Sequence, residues 1–152
     1  MRSNAELNQE ALRKYPGYLL ARARWQAFRN FEAHIGGPCQ LKPVEFSILV
    51  LMDSNEQVSL GQLAQALGVA APNMTGIVRR LEERGLVERK RAETDRRMQH
   101  LALTDAGRKL LREGVAAGRK MDEAWLARLS RAEVGMLLEL LAKLSGVPTA
   151  TR

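Results

Sequence analysis

Apolar residues along this chain recur mostly at steps of three and four, the spacing that gathers them on one face of a helix. From Ala11 to Ile35, the residues Tyr18, Ala21, Trp25, Phe28 and Ile35 fall on one arc. Gly36-Gly37-Pro38 is predicted to end that helix, because glycine supplies a C-cap and proline cannot continue the ladder. Pro43 suits the first turn of a second helix carrying Phe46, Leu49, Val50 and Met52, and Asp53-Ser54-Asn55-Glu56 reads as a turn. Ser59-Leu60-Gly61-Gln62 is a capping-box signature. Leu60, Leu63, Ala64 and Leu67 then form one buried stripe, stopped by Gly68. Only Val69-Ala70 separates this helix from Ala71-Pro72, which open another with Met74, Ile77, Val78 and Leu81 inward and Gly85 at its end.

The period then changes. Residues 86–90 and 98–103 read as two short strands, with Leu101 and Leu103 alternating with polar or small neighbours. Thr104 is placed to cap a long helix from Asp105 to about Leu129. Ser130-Arg131-Ala132-Glu133 is a second capping box, opening a last helix with Val134, Leu137, Leu138, Leu141 and Leu144 inside and Gly146 and Pro148 closing it. The predicted fold is mainly α with a small β-wing (α+β), a single domain over residues 1–152. Residues 41–104 form a winged helix-turn-helix, and residues 8–36 and 105–147 form a helical layer around it. The flanking helices hold more apolar surface than one layer buries. Tyr18 to Ile35, Trp125, Leu126, Leu137 and Leu141 predict a homodimer, with an intrachain bundle as the alternative.

Composition adds a direction. The formal net charge is +7, with 45% hydrophobic and 27% charged residues, an ordinary globular balance that favours polyanionic partners such as nucleic acid. The single cysteine, Cys39, allows no intrachain disulfide, the first residues lack an apolar signal core, and no apolar run is long enough for a membrane span, so a cytoplasmic protein without membrane association is expected. No phosphate-cradling glycine loop, no metalloprotease motif and no nucleophile with its base is present, so no enzyme activity is expected. His34, His100 and Cys39 do not form a ligand set, so neither metal nor cofactor is expected.

A recognition helix needs short polar and basic side chains near its N-terminus over an apolar back, and Asn73, Thr75, Arg79 and Arg80 meet that description. Gly76 on the same outer face costs helix stability and would permit close backbone approach to DNA. The charged tip between the strands, residues 89–97, is suited to a minor groove, with Asp95 and Arg97 spaced to brace each other and Arg96 left to project. Ser59, Arg89 and Arg91 complete the candidate contacts to a double-stranded operator.

Two stretches carry a family resemblance. One is Leu60-Gly61-Gln62-Leu63-Ala64-Gln65-Ala66-Leu67-Gly68 leading into residues 73–87. The other is Asp95-Arg96-Arg97, followed by Leu101-Ala102-Leu103-Thr104-Asp105-Ala106-Gly107. Together they resemble the MarR family of bacterial winged-helix regulators. The resemblance implies a triangular homodimer joined through its N- and C-terminal helices. It also implies repression of neighbouring genes, relieved when a small molecule binds between the dimer layer and the winged helix. Ala71 departs from the pattern, since family members often carry a serine cap at the start of the recognition helix.

The signal is less defined. All of the two Trp, two Tyr and three Phe except Trp125 lie between Tyr15 and Phe46. Tyr18, Arg22, Trp25 and Arg29 share one edge of the first helix, and aromatic faces beside guanidinium groups suit a planar anion such as an aromatic carboxylate. His34 and Phe46 are added as candidate ligand contacts. Within the resemblance, sensors of phenolic, hydroxycinnamate-, hydroxybenzoate- or hydroxynicotinate-like acids are the nearest class. Two alternatives stay open: a redox-responsive repressor using Cys39, and a ligand-independent architectural or activator protein.

Overall fold

The computed structural model describes residues 7–91 and 99–146. A single 3₁₀ turn, Leu12–Lys14, precedes α1 (Pro16–Phe31). The chain continues through a π-helical turn (Glu32–Gly36) into a short α2 (Gly37–Cys39), then α3 (Pro43–Asp53), α4 (Leu60–Leu67) and α5 (Ala71–Glu83). The strands β1 (Val87–Arg91) and β2 (Gln99–Leu103) follow, then α6 (Asp105–Leu126) and α7 (Arg131–Ser145). The result is mainly helical with one small antiparallel sheet, as the hydrophobic pattern predicts.

One core lies under the helix-turn-helix and the wing. Ile48 and Leu49 of α3, Leu63 of α4, and Met74, Val78 and Leu81 of α5 are fully enclosed, joined by Leu86, Val87, Leu101, Leu103 and Leu111. β1 and β2 pair in the register Val87↔Leu103 to Arg91↔Gln99, so Val87, Leu101 and Leu103 close the core from the wing side. A contribution missing from the sequence reading is Val58, whose carbonyl accepts from the Leu101 amide at 2.8 Å and adds a third, one-residue edge to the sheet. No periodicity marks a strand of one residue, so the pattern could not reveal it.

Several boundaries differ from expectation, each for an identifiable reason. The first helix starts at Pro16 rather than Ala11, because Tyr15 precedes a proline and is held extended (φ −99°, ψ 114°). Gly36-Gly37-Pro38 does not end it. Both glycines are right-handed helical, and a wide i→i+5 turn, with the Gly37 amide on the Glu32 carbonyl, admits Pro38 into the next turn. The stop falls at Gln40 (φ 51°). Gly36 serves packing instead: a Cβ there would lie 2.5 Å from Glu32 Oε2 and 3.2 Å from the Leu41 carbonyl.

The stripe expected inside the last helix is exposed. α7 buries none of its side chains within the chain, and Leu144 is 72% accessible. On α1, Trp25 and Phe28 are about half accessible, at 52% and 51%. Both predicted capping boxes form, and the Thr104 hydroxyl accepts from the Gly107 amide. The expected closure by Pro148 lies outside the described residues. Among those described, no helix is long and apolar enough to cross a membrane.

The joint between wing and α6 is closely packed. Thr104 Oγ1 also donates to the Gly85 carbonyl at 2.6 Å, and the Thr104 amide donates to the Leu86 carbonyl at 3.1 Å. A Cβ on Gly107 would overlap that same Leu86 carbonyl. Alanine gains about 1 kcal/mol over glycine in a helix interior, but here backbone would have to move. Gly107→Ala is therefore expected to lower stability by about 1–3 kcal/mol, read as a lower urea midpoint at unchanged slope; a raised midpoint would show that the contact is not close.

Candidate nucleic-acid interface

The sequence builds a rigid platform beneath the outer face of α5. Ser59 caps α4: its hydroxyl accepts from the Gln62 amide at 3.3 Å and donates to Gln62 Oε1 at 2.9 Å, while the Ser59 amide donates to the same oxygen at 2.8 Å. Gly68 turns left-handed (φ 60°), letting the Val69 amide return to the Ala64 carbonyl at 3.0 Å. Two residues later α5 begins. Its cap position is Ala70 rather than Ala71, with Pro72 in the first turn and no side chain over the opening amides. The positive end of the helix dipole therefore carries no side-chain cap here.

Met74, Val78 and Leu81 anchor α5, leaving Asn73, Thr75, Arg79 and Arg80 exposed outward. Thr75 Oγ1 donates to the Ala71 carbonyl at 3.1 Å, which keeps its lone pairs free to accept. The arginines carry intrachain carboxylates. Arg79 meets Glu83 at 3.3 Å, both well exposed, and Arg80 meets Glu45 of α3 at 3.6 Å. Arg89 forks onto Glu82 at 2.8 and 3.4 Å, tying β1 to one edge of α5. On the opposite edge Arg84 donates to the Gln40 carbonyl at 2.7 Å and the Cys39 carbonyl at 3.1 Å. The more exposed pairs, Arg79–Glu83 and Arg89–Glu82, contribute only about 0–1 kcal/mol each, so phosphates can displace those carboxylates, whereas Glu45 is buried. Arg91 ends β1 opposite Gln99. Asp95, Arg96 and Arg97 lie outside the described residues.

Glu45, Glu82 and Arg84 were not singled out from sequence. Glu45 had a local signal: it stands three residues after Lys42, and its Oε2 accepts from the Lys42 amide at 2.8 Å as a helix-capping carboxylate. The Arg84 and Glu82 contacts join segments far apart in sequence or across the wing, and nothing local marks them.

The candidate ligand residues are only partly brought together. Arg22 and Arg29 flank the Trp25 ring, with guanidinium carbons 5.9 and 4.9 Å from its centroid. Tyr18 instead donates to Gln9 Oε1 at 2.5 Å, His34 Nδ1 lies 2.9 Å from the Asn30 carbonyl, and Phe46 packs edge-on against Phe31 with centroids 5.8 Å apart. A cavity of about 860 Å³ opens between the end of α1 and α5, lined by Phe28, Glu32, Leu41, Lys42, Glu45, Arg80 and Arg84. A hollow of about 360 Å³ beside Trp25 and Arg24 shares Phe28 with it. Cys39 is buried, and burial pushes its thiol above the ordinary range, Glu113 adding to the shift and Arg84 opposing it. Among the described residues no cluster of metal-ligating side chains occurs.

Gly76 is where stability and recognition separate. A Cβ there would meet only Arg80 Nη1, at 4.0 Å. Gly76→Ala is therefore expected to raise stability by up to about 1 kcal/mol and to weaken duplex binding. Paired melting and binding measurements check this; binding equal to wild type would show that the α5 backbone stays clear of DNA.

The comparisons with known proteins agree with this geometry. A model of the MarR family matches residues 40–98. A putative transcriptional regulatory protein for the hcr operon of Thauera aromatica is 34% identical over 140 residues, covering 92% of this chain and 84% of that one. The repressor CouR bound to a 23-mer DNA duplex superimposes with a TM-score of 0.84 at 34% identity, covering 93% of this chain and 99% of that one. CouR bound to p-coumaroyl-CoA gives a TM-score of 0.81 at 33% identity, covering 92% and 98%. Sequence, fold and outward basic helix converge: the chain belongs to the MarR family of DNA-binding transcriptional regulators, which are not enzymes.

Proposed function

We propose that this protein is a repressor that binds an inverted-repeat operator as a homodimer and leaves it when an aromatic acid, free or as its coenzyme A thioester, occupies the space between the helical layer and the winged helix. The observation that carries the reading is the division of the surface. α5 presents Asn73, Thr75, Arg79 and Arg80 outward beside the wing, while α1 and α7 expose Trp25, Phe28, Leu138, Leu141 and Leu144 elsewhere. Residues 41–104 act as the DNA reader, with Asp95, Arg96 and Arg97 at the wing tip entering a minor groove. Residues 8–36 and 105–147 form the dimer layer, burying the apolar faces that a lone chain leaves wet.

The effector class is supported by the shape and charge of the site. The cavity of about 860 Å³ is larger than a one-ring acid needs, it shares Phe28 with a second hollow beside Trp25 and Arg24, and Arg22 and Arg29 flank the Trp25 ring. A thioester with its phosphates and adenine would use both hollows and their cations, where a free acid would use one. CouR, known in complex with p-coumaroyl-CoA, is the relative that favours the same class here.

The test is a footprint and a release assay. The dimer should protect two half-sites about 34 Å apart, and an aromatic acid or its thioester should release it with a coupling of about 1–3 kcal/mol. Protection of one half-site by a monomer would refute the assembly.

Cys39 speaks against redox control. Its raised thiol titration means that less thiolate is present at neutral pH than in a free cysteine. Alkylation of the folded protein should therefore lag free cysteine and rise only above the pH where a free thiol ionises. Any stability contributed by the neutral thiol is full below that pH and lost as pH climbs through it. Cys39→Ser should leave operator release unchanged; peroxide-driven release that this substitution abolishes would restore the redox reading.

A further inference from the structure

We infer that Arg80 is a shared ligand of operator and effector, held between them by the buried carboxylate of Glu45; the inference rests on the function proposed above and names the subsite through which release works. Arg80 belongs to both surfaces. It stands on the outward face of α5, and its side chain also lines the cavity behind that helix. Its guanidinium folds back along α5 toward Gly76, and the side chain as a whole is 48% accessible.

The charged groups around the cavity differ in how firmly they are held. Arg84 has both terminal nitrogens on the Cys39 and Gln40 carbonyls, at the left-handed turn that closes α2. Moving it would leave two carbonyls short of a donor, so it is a fixed strut. Glu45, with its side chain only 7% accessible, commits Oε2 to the Lys42 amide at 2.8 Å and is equally fixed. Among the described residues the polar partner of Arg80 is Glu45 Oε1, at 3.6 Å, longer than the roughly 2.7–2.9 Å of a charge-assisted hydrogen bond. It is loosely tethered, and a better anion can take it.

Two such anions compete. An operator phosphate draws Arg80 outward, and an effector carboxylate or phosphate in the cavity draws it inward. Lys42, Arg80 and Arg84 outnumber Glu32 and Glu45 there, so an anion gains overall. Because one guanidinium cannot serve both partners, effector binding removes a contact from the DNA face, which is the differential interaction that release requires. Arg79, paired on the other edge with Glu83 and absent from the cavity lining, lacks this second role.

The experiment compares Arg80→Gln with Arg79→Gln in the full-length protein, using free p-coumarate and p-coumaroyl-CoA as probes. Operator affinity is measured with and without each probe, and probe affinity is measured by calorimetry without DNA. Both substitutions should weaken operator binding several-fold. Arg79→Gln should keep the wild-type ratio of affinities with and without probe. Arg80→Gln should bring that ratio close to one and weaken probe binding. Release by p-coumarate alone would place a carboxylate on Arg80, and release by the thioester alone would place a phosphate there; both support the inference. Wild-type release that Arg80→Gln leaves intact would overturn the shared-ligand role alone. No response of the wild type to either probe would overturn it together with the proposed effector class.

Discussion

The aim of the recognition helix depends on one small knot of backbone at Leu86, Thr104 and Gly107. The Leu86 carbonyl accepts from the Thr104 amide, the Thr104 hydroxyl donates to the Gly85 carbonyl and accepts from the Gly107 amide, and Gly107 has no Cβ because Leu86 occupies its place. The exit of α5, the base of both strands and the start of α6 are therefore fixed at one point. This explains physically why a Leu-Thr-x-x-Gly stretch follows a wing. Leucine fills the core, threonine satisfies an exposed helix start and a turn carbonyl together, and glycine permits the contact. The start of α6 thus shares its backbone contacts with the base of the wing and the exit of α5.

A second set of ties holds α5 along its two edges. Glu82 and Arg89 bind it to the wing, while Arg84 binds it to the turn after α2. The Arg84 tie crosses from the reader to the end of the first helix and lands on backbone carbonyls rather than on a side chain. The Arg89 fork has another consequence. Arg89, a candidate DNA contact from its sequence position, is paired with Glu82 in the fold, so it also orients the wing.

Local chemistry was legible from the sequence, and long-range chemistry was not. Capping boxes at Ser59 and Ser130, the Thr104 cap, the stops at Gly68, Gly85 and Gly146, and the buried stripe of α5 all follow from interactions within a few residues. Gly36-Gly37-Pro38 misled because composition cannot tell glycine as terminator from glycine as spacer; the close approach of Glu32 and Leu41 decides it. The last helix misled for a different reason. Its apolar face is real, but a single chain has nothing to lay against it, and periodicity reports that a face must be covered without saying by what.

The site divides along the same line. Asn73, Thr75, Arg79 and Arg80 emerge outward as helical spacing requires. The cationic edge of Arg22, Trp25 and Arg29 also assembles, because its members are neighbours on one helix. The cavity wall, by contrast, draws on α1, the π-helical turn, α3 and α5 at once, and no window of sequence contains it. A net charge of +7 says that polyanions are attracted, but not which cations are available. Arg79, Arg80, Arg89 and Lys90 each begin with a carboxylate beside them, on Glu83, Glu45, Glu82 and Glu88. DNA must displace those partners before it gains their charges. Three of the four carboxylates are at least a quarter exposed or nearly so and can turn into water; Glu45 cannot, since it is buried and bound to the Lys42 amide. A phosphate that takes Arg80 leaves Glu45 with its hydrogen bond to the Lys42 amide and without its ion-pair partner. That cost falls on any anion that takes Arg80 from Glu45, operator phosphate and effector alike, so Arg80 passes to whichever binds it better.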